Sequence, residues 1–142
     1  MSTETVRVVR RFQASAERVF DAWLDPAQAA KFLFATPHGS MQSVELDRAG
    51  FRIIERRDDQ DFEHVGRFTT LERPRVLAFA FAAGLAGSLG PESAVRIELL
   101  PLVSGCEVTL AHEGVPSEFV VQGENSWAQM LANLDHNVRP DT

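Results

Sequence analysis

The spacing of apolar residues along the chain changes period three times. In the opening stretch TVRVVRRF, Val6, Val8 and Phe12 share one parity, interrupted by Arg10. A period of two over such a length predicts a half-buried strand. From Ser15 the spacing lengthens. Val19, Phe20, Trp23 and Leu24 fall on one helical face, with Ser15 placed to cap it and Glu17 in the first turn. Asp25-Pro26 then restarts the chain as an N-cap followed by proline at the first helical position, predicting a second short helix over about 26–32.

From residue 40 the period returns to two. Strands are predicted near 41–47, 50–57, 62–71, 76–82, 93–101 and 105–112. DRAG at 47–50, RDDQD at 57–61, ERPR at 72–75 and VSG at 103–105 carry turn chemistry between them. This is the spacing of successive antiparallel hairpins. AAGLAGSLGPE at 82–92 is longer and glycine-rich, and is expected to be a mobile connection beside the apolar strand that ends at Phe81. After EGVP the pattern is helical again, over about 117–138. Trp127, Leu131, Leu134 and Val138 are spaced i, i+4, i+7, i+11, one stripe of a helix. Such a stripe must lie on an apolar surface, and an antiparallel sheet with one apolar face needs a cover. The expected architecture is α+β, in one domain over residues 1–142. A seven-stranded curved antiparallel sheet follows from the strands, with two short helices after the first strand and the long C-terminal helix packed across the concave face.

Composition narrows the function classes. The 142 residues are 44% hydrophobic, enough for a substantial core, and the net charge is −6 with no basic run. An acidic chain of this kind is not expected to bind nucleic acid. The apolar run from Val76 is broken by Gly84 and Gly87, so membrane insertion is not expected. The N-terminus has no apolar signal core and there is one cysteine, Cys106, which together predict a cytoplasmic protein. Cys106 is expected to be a buried small hydrophobe rather than a nucleophile. His38, His64, His112 and His136 have neither close pairing nor a cysteine at ligand spacing, so no metal is expected. GLAGSLG at 84–90 lacks the lysine of a phosphate loop, and no serine lies in a nucleophile elbow.

Four stretches, in order, resemble a known family. RRFQASAERVFDAWLDPAQAAKF is similar to its opening strand, cap and helix pair, and GRFTTLERPRVLAFAF to its glycine-led strand, proline turn and apolar strand. VRIELLPLVSGCEVTLAHEG is similar to its final hairpin, and SWAQMLANL to its glycine-tryptophan helix signature, with Ser126 where glycine is usual. The family is that of the C-terminal domain of the activator of heat-shock protein 90 ATPase, within the START-like (SRPBCC) helix-grip superfamily. Phe32 in KFLF stands where the family commonly has tryptophan. The eukaryotic cochaperone has an additional N-terminal domain that this sequence lacks, so stimulation of a heat-shock protein 90 ATPase is not expected.

The resemblance implies a cavity between the C-terminal helix and the sheet. Alternation then nominates its apolar lining: Phe51, Ile53, Phe68, Phe79 and Phe81 from strands, Trp127 and Leu131 from the helix, and Trp23 from the first short helix. Four polar residues share inward parity: Arg10, Glu55, His64 and His112. Burying charge is costly without a partner, so these either reach solvent at strand ends or line a polar corner of the cavity. The alternative for the apolar set is an ordinary close-packed core. Three functions remain open: a binding module for a small apolar or amphipathic molecule, a cyclase- or aromatase-like enzyme using His64, His112 or Glu55 as acid or base, and a stress-related protein-interaction domain. The first is the leading expectation, with no catalytic residue and no cofactor. A small hydrophobic molecule is the expected partner, and a homodimer is left open.

Overall fold

The computed structural model describes residues 2–34 and 39–139. His38 falls outside them. The elements follow in the order β1 (Thr3–Phe12), α1 (Ala16–Ala22), α2 (Pro26–Phe32), β2 (Ser40–Leu46), β3 (Gly50–Arg57), β4 (Gln60–Glu72), β5 (Val76–Leu85), β6 (Ser88–Leu89), β7 (Ser93–Leu102), β8 (Gly105–Pro116) and α3 (Val120–Val138).

Local chemistry sets the helix starts and turns as expected. The Arg18 amide donates to Ser15 Oγ at the head of α1, and the Ala27 amide donates to Asp25 Oδ1 at the head of α2. In DRAG, Asp47 Oδ1 accepts from the amides of Ala49 and Gly50, an Asx-type turn. In RDDQD, Asp58 and Asp59 both have positive φ, 51° and 63°, which matches the right-handed twist of the paired strands. The long helix begins later than its period indicates. Ser117–Phe119 form a single 3-10 turn, and the α-helix starts at Val120.

The sheet runs β1-β8-β7-β5-β4-β3-β2, with every neighbouring pair antiparallel. The first strand thus lies beside the last, and β1 and β2 are the two edges. The sheet has eight strands rather than seven. The eighth, β6, arises inside the glycine-rich segment at 82–92, where Gly84 and Leu85 pair with Leu89 and Ser88. That segment is a hairpin rather than an open connection, because Gly87 at φ 84° permits the tight turn. Bulges interrupt three ladders: between Met41 and Ser43 in β2, between Phe68 and Thr70 in β4, and opposite Glu4–Val6 in β8, where Gly114 has φ 83°. Each inserts a residue on one strand and bends the sheet locally.

The core is the space enclosed by the inner face of the sheet, α1, α2 and α3. Trp127, Met130, Leu131, Leu134 and Val138 of α3 are all buried, the predicted stripe with Met130 added. The helix lies chiefly along β1 and against α1 and α2. Gly66 on β4 matters for this arrangement. A Cβ at that position would collide with the ring of Phe51 on β3, so the missing side chain is what lets Phe51 lie flat on the sheet. A second charged residue completes what Arg10 began. Asp135 sits within the apolar stripe and is 3% exposed. Arg10 Nε donates to its Oδ2 at 3.1 Å and a second guanidinium nitrogen approaches to 3.0 Å, with Arg139 adding a longer contact at 3.5 Å. Arg10 interrupts the apolar face of β1 in order to pin the last turns of α3.

Breaking this pair leaves a buried carboxylate with reduced compensation. Arg10→Met is expected to destabilise by roughly 1–3 kcal/mol, since the arginine is partly exposed and Arg139 remains. Arg11→Met, which removes an exposed pair with Glu107, should cost less than about 1 kcal/mol. Urea unfolding of both variants checks the ordering, and equal losses would show that the Arg10–Asp135 pair does not hold α3.

Candidate functional site

Strand register gathers an aromatic cluster under the N-terminal half of α3. Phe51 on β3 pairs across to Gly66, Gly66 to Phe81 on β5, and Phe81 to Ser93 on β7. Phe68 pairs directly with Phe79, and His112 of β8 lies opposite Val95. Because alternation points all of these side chains inward, the rings meet. Phe51, Phe68, Phe79 and Phe81 contact one another edge-on or tilted, with centroids 5.1–6.4 Å apart. Trp127 descends from α3 onto Phe81 at 6.5 Å and His112 at 5.9 Å.

A chain of hydrogen bonds crosses the cluster. Trp127 Nε1 donates to His112 Nδ1 at 3.1 Å. Indole is a donor only, so Nδ1 must carry the lone pair and Nε2 the proton. That proton is directed to Ser93 Oγ at 2.7 Å, and the Ser93 hydroxyl in turn donates to the Phe81 carbonyl at 3.3 Å. Both nitrogens of His112 are therefore engaged within the protein, which leaves it no free position to act as acid or base while Trp127 and Ser93 hold it. Burial pushes its pKa down to about 4, consistent with a neutral ring.

His64 is different. It too is pushed down to about 4, first by burial, with the negative charge of Glu55 and the Ile53 backbone opposing and the Arg57 guanidinium adding to the shift. Its Nδ1 is buried and makes no hydrogen bond among the described residues. Glu55 is 1% exposed, with Arg57 Nε 3.0 Å from its Oε1. Arg57 also lies over the Phe62 ring at 4.1 Å. So the polar residues of inward parity divide. Arg10 braces α3, Glu55 faces Arg57, His112 is locked into the Trp127 relay, and His64 keeps an open nitrogen.

The remaining nominated residues are also placed. Ile53 is fully buried beside His64, and Leu131 is fully buried under α3. Trp23 is buried elsewhere, edge-on to Phe32 at 5.0 Å, and does not join the cluster. Four participants were not among the candidates read from the sequence. Phe34 stacks on His64 and Phe81, Ser93 completes the relay, Met130 accepts the Phe34 amide through its sulfur, and Asp135 receives Arg10. Of these, only Asp135 left a signal, as a charge within an otherwise apolar stripe. Cys106 is fully buried and its thiol is pushed up to about 11 by burial, which suits an inert core residue. Among the described residues, no three His, Cys, Asp or Glu side chains come together to hold a metal ion, and no helix is long and apolar enough to cross a membrane.

Residues 13–139 match the family described as Activator of Hsp90 ATPase homolog 1-like protein. The chain belongs to this family. Solved structures agree on its START-like (SRPBCC) fold. A protein from Chromobacterium violaceum superposes with a TM-score of 0.83 at 24% identity, covering 96% of this chain and 99% of that one. A family member from Silicibacter pomeroyi gives 0.81 at 19% identity, covering 94% and 96%. A protein of the dynemicin biosynthetic locus gives 0.68 at 22% identity, covering 93% of this chain and 46% of that longer one. No curated protein matches the sequence. At these identities the structures establish the shared fold. For an Hsp90-activator-like domain, the tryptophan of the helix signature acquires a specific task here: it carries both ring contacts and the donor that sets the His112 tautomer.

Two expectations follow. Trp127→Ala removes a ring that is 3% exposed and should destabilise by roughly 3–5 kcal/mol in urea, the range for large aromatic truncations. A loss below about 1 kcal/mol would mean that α3 is not seated by this residue. The second concerns pH. The unfolded chain protonates its histidines near 6.5, whereas folded His64 and His112 resist protonation until about 4. The unfolded state therefore binds more protons between those values, and stability rises with pH. The contribution is complete above about 6.5 and is lost as pH falls through about 4. Urea midpoints should drop between pH 7.5 and 4.5, and His64→Leu should flatten part of that slope. An unchanged wild-type midpoint would show that the imidazoles are not held neutral.

Proposed function

We propose that this domain binds a small apolar or amphipathic molecule between α3 and the inner face of the sheet. The observation that carries the reading is the aromatic cluster itself. Aromatic rings from β3, β4, β5 and α3 converge on one place, with His64 and His112 beside them and, among the described residues, no hydrogen bond to the buried His64 Nδ1. Apolar walls with a few fixed polar groups are the usual composition of a small-molecule site. The fold relative from the dynemicin biosynthetic locus supports the reading only in that it places this fold in a small-molecule setting.

A titration tests it. Trp127 borders the cluster, and Trp23 is the other tryptophan. In the Trp23→Phe protein, fatty acids, aromatic polyketides and flavonoids are added while Trp127 emission is followed. At least one class should give a saturable change. Phe79→Asp should weaken it at least tenfold, whereas changing the exposed Arg96–Glu98 pair should leave it within about twofold, as for surface substitutions generally. Flat emission across the whole panel would leave the cluster as ordinary core.

A further inference from the structure

Phe34 holds a place in the cluster that its own backbone does not favour. It follows α2 almost directly, and its φ of 57° lies in the left-handed region, where a bulky aromatic residue is an outlier. Its amide goes to the Met130 thioether at 3.2 Å, a weak acceptor. Yet the residue is only 7% exposed. Its ring lies 8° from the planes of both His64 and Phe81, with centroids 4.2 and 5.1 Å away. His64 and Phe81 are themselves 15° apart in plane and 6.3 Å between centroids, so they form one flat floor that Phe34 covers. Trp127 closes the slot at 5.7 Å and Phe51 at 5.9 Å. The other rings of the cluster are held by strand ladders or by α3. Phe34 hangs from a residue outside any regular element.

Building on the small-molecule reading, we infer that Phe34 is an internal stand-in for the ligand: a planar aromatic ring of the ligand displaces it and stacks on the His64–Phe81 floor. A ring stacked at 8° on a flat two-ring floor occupies a space one ring thick. A saturated ring is puckered and thicker, so the slot discriminates by shape as well as by hydrophobicity. Expulsion of Phe34 costs its stacking. It also lets the backbone leave a strained conformation and, among the described residues, surrenders one weak N–H···S bond, which makes Phe34 easier to displace than the other rings. Phe34 therefore acts as a competitor for the site. A lining residue weakens binding when truncated; a competitor strengthens it.

The probe is anilinonaphthalene sulfonate, followed by energy transfer from Trp127 in the Trp23→Phe background. Phe34→Ala should bind the dye at least tenfold tighter than the protein that retains Phe34. Toluene should displace the dye from this variant at a concentration at least fivefold below that needed of methylcyclohexane, although methylcyclohexane is the more hydrophobic. In protein labelled with 4-fluorophenylalanine, the fluorine resonance assigned by its loss in Phe34→Leu should move toward the solvent value as the dye binds. If Phe34→Ala does not fold, Phe34→Leu keeps apolar bulk without a stacking face, and should bind at least threefold tighter. Equal affinities with an unmoved resonance, while the dye still binds, would overturn Phe34 as an occupant and leave the small-molecule reading standing. Equal displacement by toluene and methylcyclohexane would overturn the aromatic preference. Absence of dye binding in every variant would sink both.

Discussion

The apolar stripe of α3 has to be kept from water, and the inner face of the sheet has to be covered; each supplies what the other lacks. Trp127, Leu131, Leu134 and Val138 are between 0% and 3% exposed, so the helix contributes an almost continuous buried edge. The position of that helix then governs everything beneath it. Two polar handles fix the position. Asp135 near its end is held by Arg10 of the first strand, and Trp127 in its first half is held by His112 of the last. Because β1 and β8 are neighbours, both handles engage the same side of the sheet. The other side, carrying Phe51, His64, Phe79 and Phe81, is left to be filled by whatever else the chain can bring.

Phe34 is what it brings. The two short helices end facing this region, and the residue that follows them turns its ring onto the floor made by His64 and Phe81. The arrangement has an energetic asymmetry. Rings on strands are supported on both sides by backbone ladders, whereas Phe34, outside any regular element, is held by ring contacts and a weak N–H···S bond. Phe34 thus combines a strained φ with a sulfur acceptor, the most weakly held arrangement among the rings of the cluster.

The two histidines show how identical side chains, both with lowered pKa values, take different roles. His112 is saturated, with Trp127 on one nitrogen and Ser93 on the other. Its neutrality serves structure, since an imidazolium could not accept from the indole. His64 is neutral for the same reason of burial, but its Nδ1 makes no hydrogen bond among the described residues. Hydrogen-bond inventory separates them where burial and charge do not.

Period and turn chemistry are local properties, and they were enough for most of the architecture. The switch from period two to 3.6, the caps at Ser15 and Asp25, and the Asx turn at Asp47 act over a few residues and were legible directly. Inward parity also assembled most of the cluster: Phe51, His64, Phe68, Phe79, Phe81, His112 and Trp127 do meet. Parity could not give β6, because a two-residue strand has no period, nor the late start of α3, because a three-residue 3-10 turn is too short to show a period of its own. It could not separate Trp23 from the cluster, since helix direction places it. It could not find Phe34 or Ser93, whose roles depend on where a turn residue and a strand end land in space. Above all, a strand pattern says that Arg10, Glu55, His64 and His112 point inward but not what they meet. Arg57 lies two residues from Glu55 on the same strand, but Asp135 reaches Arg10, and Trp127 and Ser93 reach His112, through helix docking and sheet pairing, and only the tertiary structure decides those distances.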